Sequence, residues 1–483
     1  MRWPAGPLEI AGRAKAKGFT AELRQALERF SDPTSLDILK DSPVNCLVVS
    51  WAGGLPEDGE QQKALGPLID AARKRNLAVV GWVEGSTKHD AAIASAKSAG
   101  LAAVALGDFK GTPDFPVIPW GERASVPFDS AGPALAVTGN VWPGVVAPSG
   151  DATAGPTGVP WLDSNAWYIQ LARARTSSPV WVMFDSPGGG RIVSAQNYMN
   201  AICDAESAGG RWVISLDPSL LTGLARGDAR ARETFQQIGS AAGFFEKHAA
   251  WKSYRSLGVV GVISDFAGEN FDMSGEILNL LARRNLQFRV LWKAKALAQP
   301  FAGLKALIYA DPEQPSPELR SKMMAFAELG GLLITGPGWQ VKGRPANPDF
   351  PNQFEVCAFG KGRVAVARKE LADAYEIAAD VQYLLSHGND LVKVYNSSSS
   401  GCALLAASPD GRKAVLQILS YSGGRFASTR TVWIRQKHRS TRLWQIGAAE
   451  PVPIEALPSE EYFGMEYQIP STAPGYFALE FDS

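Results

Sequence analysis

Cysteine and histidine are scarce in this chain of 483 residues, with four of each. Cys46, Cys203, Cys357 and Cys402 lie far apart, and Cys46 sits in the apolar run Cys46-Leu-Val-Val-Ser. Reduced, buried thiols are therefore expected, with neither a disulfide framework nor a cysteine metal site. His89, His248, His387 and His438 form no HxH or HExxH pair, which disfavours a zinc or iron hydrolase. A GxSxG elbow is also missing, which argues against a serine hydrolase. No metal and no cofactor is expected. Nor is there an excess of charge of one sign, since 48 Lys+Arg stand against 48 Asp+Glu. Nucleic acid and anionic membrane, which select a basic face or tail, are excluded as partners on that ground. No apolar run approaches the ~20 residues that cross a bilayer. Met1 to Gly18 carries no apolar h-region, so a soluble chain is expected, cytoplasmic or exported if a signal peptide was trimmed, with the compartment unassigned.

What is present points to folded domains. Hydrophobic residues make up 46% of the chain, with 48 Gly and 32 Pro to punctuate them, a composition that rules out disorder. The first half alternates strands with helices. Apolar runs at Cys46–Trp51, Leu77–Val83, Leu101–Leu106, Pro116–Trp120, Ala134–Val141, Val180–Phe184 and Trp212–Leu216 read as strands, and Gln61–Arg75, Ala91–Ala99 and Leu162–Arg175 as helices. This rhythm over residues 1–250 predicts a (β/α)8 TIM-like barrel with some elements shortened, with a doubly wound open sheet as the other candidate. Residues 251–390 repeat the pattern on a smaller scale, from Val259 to Ala367, and predict a flavodoxin-like α/β domain. From Leu391 the pattern becomes short strands between Gly, Ser, Asn and Pro clusters, with a hairpin signal at Pro409-Asp-Gly-Arg. An antiparallel β-sandwich is expected for residues 391–483.

The run Leu304-Lys-Ala-Leu-Ile-Tyr-Ala-Asp, the helix after it, Phe326-Ala-Glu-Leu-Gly-Gly-Leu-Leu-Ile-Thr-Gly-Pro and Phe359-Gly-Lys-Gly-Arg-Val resemble the middle domain of family 42 β-galactosidases and related glycoside hydrolases. The order of barrel, small α/β domain and β-sandwich is similar too. The resemblance implies a class I amidotransferase-like middle domain without activity, self-association through that domain, and a carbohydrate ligand in the barrel. The Asn-Glu dipeptide that the family carries on its fourth barrel strand for the acid/base is absent here. An active amidotransferase domain needs a cysteine at a strand-to-helix elbow. The corresponding strand ends in Tyr309-Ala-Asp311, with Cys357 beyond the next strand and His387 beyond the domain, so no glutamine hydrolysis is expected.

Barrel enzymes carry their chemistry at the carboxyl ends of the strands. Glu84, Asp108, Glu122, Asp185 and Asp217 each follow an apolar run. Two such carboxyls, one protonated and one ionised, suffice for glycoside hydrolysis. Glu84, Glu122 and Asp185 are the candidate catalytic acids, the first two because a tryptophan precedes each by two residues and glycine adjoins it. Asp108 and Asp217 are candidate substrate contacts, although Asp217-Pro-Ser also reads as a helix start. There are 14 tryptophans, many at the ends of apolar runs. Trp51, Trp82 and Trp120 are candidate sugar-stacking surfaces, as are Trp142, Trp161 and Trp181, against the plainer reading of core packing. Ser186-Pro-Gly-Gly-Gly-Arg191 lacks the lysine and spacing of a phosphate loop and reads as a loop at the rim. The function expected is a glycoside hydrolase using a carboxylate pair. The alternative is a carbohydrate-binding or scaffolding protein derived from one, which the absent Asn-Glu dipeptide favours.

Overall fold

Short apolar runs separated by loops form seven parallel strands, β1 (Cys46–Trp51), β2 (Ala78–Val83), β3 (Ala103–Gly107), β4 (Val117–Glu122), β5 (Leu135–Thr138), β6 (Val180–Met183) and β7 (Arg211–Val213), which pair in chain order. This is a computed structural model, and it describes all residues except 17, 55–56, 86–87, 112, 147–160, 185–192, 346–352, 372, 396–400, 422–429, 460–462, 471–474 and 483. The seven strands leave two edges, at β1 and β7. Residues 1–3 join them. Val48 N donates to Met1 O and Trp3 N to Val48 O, each at 2.8 Å, while Arg2 N donates to Ile214 O at 2.8 Å, just past β7. Arg2 stands opposite Val48 in a parallel bridge. This three-residue stave closes the curled sheet as the eighth element of a TIM-like barrel.

Every second residue points inward. Val48, Val80, Trp82, Ala103, Ala105, Ile118, Ala134, Ala136, Met183 and Val213 fill the barrel. The outer layer is incomplete. Helices α1 (Pro7–Ala14) and α2 (Ala21–Phe30) precede β1, and α3 (Asp58–Lys74) and α4 (His89–Ser98) follow β1 and β2. Among the described residues no helix joins β3 to β4 or β4 to β5.

The chain forms two compact units, one of Met1–Pro143, Thr176–Glu206 and Gly210–Ala249, the other of Gly144–Arg175, Ser207–Gly209 and Ala250–Ser483. Residues 144–175, read from the sequence within the barrel domain, thus belong to the second unit. The cause is α5 (Ala166–Arg175), where Trp167, Tyr168, Ile169 and Leu171 are all buried. A helix buried on every side cannot serve as a barrel's half-exposed outer helix. Instead the Trp167 ring meets Phe271 at 5.4 Å and rests on Gly275, where a Cβ would come within 2.5 Å of it. The barrel resumes with α6 (Ala195–Ser207), α7 (Pro218–Arg226) and α8 (Ala229–Lys247).

In the second unit β8 (Val260–Ser264), β9 (Phe288–Trp292), β10 (Ala306–Tyr309), β11 (Leu332–Thr335), β12 (Phe354–Phe359) and β13 (Gly362–Ala367) form a sheet of order β9-β8-β10-β11-β13-β12, with the short strand Arg344–Pro345 at its edge. Its five parallel strands have the flavodoxin-like order, with α9 (Glu269–Arg283), α10 (Pro317–Glu328) and α11 (Ala374–Leu385) between or after them. The sandwich follows. One antiparallel sheet is built on β14 (Val392–Tyr395), β17 (Arg430–Ile434) and β19 (Met465–Ile469), the other on β15 (Gly401–Ala407), β16 (Lys413–Ser420), β18 (Ser440–Gln445) and β20 (Tyr476–Asp482). Val432, Ile434, Tyr467 and Ile469 of the first meet Leu416, Ile418, Leu443, Phe477 and Leu479 of the second in one core. The four cysteines are free. No described helix is long and apolar enough to cross a membrane.

Candidate site at the carboxyl end of the barrel

Strand β3 shapes the mouth by what it lacks. Its inward positions Ala105 and Gly107 stand opposite Trp82 of β2 and Trp120 of β4, and a Cβ on Gly107 would press to 3.2 Å from the Trp120 ring. With that space empty, the two indoles meet across β3, their centroids 4.9 Å apart and their planes 28° from parallel. Trp120 Nε1 donates to Val83 O at 3.2 Å and fixes the second ring. The resulting platform lines a cavity of about 490 Å³ together with Arg2, Glu84, Thr138, Gly139, Met183, Phe184, Val213 and Ser215. Stave, β2, β4, β5, β6 and β7 all contribute residues from their carboxyl ends, where barrels of this kind bind ligands, and the size suits a small molecule.

Glu84 follows β2 directly, with its side chain 69% exposed, and Arg2 Nη2 lies 3.3 Å from its Oε1. The same nitrogen lies 3.6 Å from Oε2 of Glu9, a carboxylate only 4% exposed. Arg13 Nε donates to Glu9 Oε1 at 2.6 Å and Ser50 Oγ to Oε2 at 2.8 Å. Burial pushes the Glu9 carboxyl up, but the charges of Arg2 and Arg13 and these hydrogen bonds outweigh it and hold the group below the usual carboxylate range.

The other sequence candidates divide. Glu122 ends β4 and is exposed. It stands beside the mouth, its Cβ 3.9 Å from the position a Cβ would take on the lining residue Gly139. Asp185 and Arg191 lie outside the described residues. Asp108 is exposed and left-handed, with φ 49°, and does not line the cavity. Trp51 and Asp217, expected to touch substrate, are turned elsewhere. Trp51 points outward to the helices, 2% exposed, and its Nε1 donates to Ser95 Oγ of α4 at 3.1 Å. Asp217 caps α7, accepting from Ser219 N and Leu220 N at 2.9 and 3.1 Å and from the Tyr198 hydroxyl at 2.9 Å. Burial and then the Asp217 charge push the Tyr198 hydroxyl up. Trp142 packs edge-on against Tyr198 and Trp212, each at 5.4 Å. Trp181 packs against the barrel core, and the side chain of Trp161 is outside the described residues. Arg2, Glu9, Thr138 and Ser215 were not singled out by the sequence reading. Thr138, inside the run Ala134–Val141, and Ser215, inside the run Trp212–Leu216, carried a signal, since each stands two positions after an inward residue, Ala136 or Val213, and so also faces the mouth.

The α/β sheet of the second unit gathers acids as well. Asp265, Asp311 and Glu313 present carboxylate oxygens within 4.8 Å of one another. They lie at the ends of β8 and β10, the strands between which the order reverses. The cation here is internal. Lys293 Nζ lies 2.8 Å from Asp311 Oδ2 and 5.5 Å from the Tyr309 ring centre. Burial pulls the ammonium down, but its bonds to Asp311 and Tyr309 raise it overall. Cys357 lies buried in β12 rather than at an elbow, and burial raises its thiol further. A nucleophilic thiolate is disfavoured there.

No protein-family model matches the sequence, and no curated protein does. Solved structures are similar in fold. The α-L-fucosidase isoenzyme 2 from Paenibacillus thiaminolyticus matches over 94% of this chain and 96% of its own, with a TM-score of 0.60 at 11% identity. The exo-β-1,4-mannosidase Op5Man5 from Opitutaceae bacterium strain TAV5 matches over 73% and 90%, with a TM-score of 0.48 at 11% identity. A catalytic mutant of Gan42B, a GH42 β-galactosidase from G. stearothermophilus, matches over 88% and 67%, with a TM-score of 0.44 at 10% identity. Identities this low bear on fold and not on activity, and of these three the fucosidase is the one similar enough to bear weight. The chain has a TIM-like barrel with β-rich C-terminal structure, a glycoside-hydrolase-like fold similar to that of the fucosidase.

Proposed function

We propose that the barrel mouth binds a sugar and that the protein is a glycoside hydrolase acting through Glu84, with Glu122 or Asp185 as its partner. The observation that carries the reading is the Trp82–Trp120 platform beside the exposed Glu84 carboxylate. Trp82 is only 4% exposed and backs the half-buried Trp120, so the Trp120 indole is the one that can stack on the C–H face of a pyranose, and a carboxylate beside it can reach the glycosidic oxygen or the anomeric carbon. Hydrolysis then needs one carboxyl to protonate the leaving oxygen and a second to attack or to activate water. A separation of ~5.5 Å gives retention and ~6.5–9.5 Å inversion.

A second reading has its own support. Glu84 is the one carboxylate that lines the cavity among the described residues, so a barrel that binds sugar without cleaving it fits the same platform. A panel of aryl glycosides, beginning with galactosides and fucosides, separates the two. Hydrolysis that Glu84→Gln abolishes supports the enzyme. Sugar binding without turnover supports the second reading, and the absence of both removes the sugar site.

A further inference from the structure

The Arg2 guanidinium is fixed from both ends. Its backbone is pinned between β1 and β7 by the stave, and its Nη2 lies between two carboxylates, Glu9 at 3.6 Å and Glu84 at 3.3 Å. Glu9 is buried and hydrogen-bonded by Arg13 and Ser50. Glu84 is the opposite, 69% exposed and followed by Gly85 at φ 87°. An ion pair this exposed adds little to stability, because water screens it and ordering a long side chain costs entropy. What it does change is direction. A carboxylate left to itself at the end of β2 samples several rotamers, whereas one contact to a fixed guanidinium selects those that point back across the mouth toward the stave.

We infer that Arg2 is a positioning residue: anchored by buried Glu9, it sets the orientation in which Glu84 presents its carboxylate to the barrel mouth. This rests on the reading of that mouth as a sugar site. The planar guanidinium matters. A lysine at the same place keeps the positive charge that Glu9 requires but offers a single point of contact on a flexible stem, and it cannot hold two carboxylates in a fixed geometry.

The test combines crystal structures and steady-state kinetics of the full chain and of Arg2→Lys, with an aryl glycoside that the wild type hydrolyses. In Arg2→Lys the Glu84 carboxylate should leave its position by about 1 Å or more while Trp82, Trp120 and Glu9 stay. The kcat should fall about 100-fold, the loss a misplacement of that size produces, with KM within about threefold and the melting temperature nearly unchanged. Glu9→Gln, which keeps the shape but removes the charge that holds Arg2, should act in the same direction with a smaller loss, and it takes over the test where Arg2→Lys does not fold. An unmoved Glu84 in the variant overturns the inference. So does an unchanged kcat in Arg2→Lys when Glu84→Gln abolishes turnover. If the wild type hydrolyses and binds no sugar, the sugar-site reading falls, and the position of Glu84 in the two variants still decides the role of Arg2.

Discussion

The barrel mouth and the carboxyl end of the α/β sheet use the same device with opposite results. Both collect acids and aromatics where parallel strands end. At the mouth, Glu84 is 69% exposed beside an aromatic platform. At the sheet, the Asp311 side chain is fully buried and paired with Lys293. Position at a strand end therefore does not decide whether an acid faces solvent or is closed into the fold. What decides is the partner. An anchored guanidinium leaves Glu84 facing the cavity, whereas an ammonium closes Asp311 into the fold.

That contrast can be broken by two amide substitutions. Glu84→Gln should lower turnover by about three orders of magnitude, near 4 kcal/mol of transition-state stabilisation, with the melting temperature almost unmoved. Asp311→Asn should do the reverse. It leaves the Lys293 ammonium without its charged partner and should destabilise the second unit by about 3 kcal/mol in denaturant unfolding, leaving turnover at the mouth intact. Equal effects of the two changes on stability would mean that Glu84 and Asp311 do not differ in this way.

Asp217 sharpens the comparison as a third kind of strand-end acid. It caps α7 and accepts from two backbone amides and the Tyr198 hydroxyl. Asp217→Ala should cost about 1–2 kcal/mol in thermal unfolding, and sugar binding should survive. The smallest effect concerns pH. Glu9 is held below its ordinary range in the folded chain, so its contribution to stability is fully present above the unfolded value of about 4.3. It is lost as pH falls from there through the folded value. A melting-temperature profile between pH 3 and 6 should therefore be less steep on its acid side in Glu9→Gln than in wild type. Parallel profiles would show that Arg2 and Arg13 do not hold Glu9 as described.

The sequence made some of this legible and concealed the rest for physical reasons. Trp82, Trp120 and Glu84, which line the cavity, were legible because they end or follow apolar runs and the carboxyl ends of barrel strands converge on one mouth. Trp51 looks the same in sequence, yet it faces the helices. Strands buried on both faces are apolar at nearly every position, so period-two alternation does not reveal which side is inward. The helical pattern of α5 was readable, but the sheet it covers was not, because a helix buried all round carries no polar stripe to orient it. Arg2 had no signal at all. Three residues are too few to show periodicity, and their pairing partners lie at positions 48 and 214.

That separation gives the stave a kinetic meaning. Loops this long make contacts of high order, which form late in folding. Residues 1–3 can pair with Val48 of β1 early, but the bond from Arg2 N to Ile214 O can form only once β7 is available, so that side of the stave is a late seam of the ring. The orientation of Glu84 is then a reporter of closure. A chain that is compact but not yet sealed holds its aromatic platform and lacks the aimed carboxylate, and regained activity should trail regained tryptophan fluorescence during refolding.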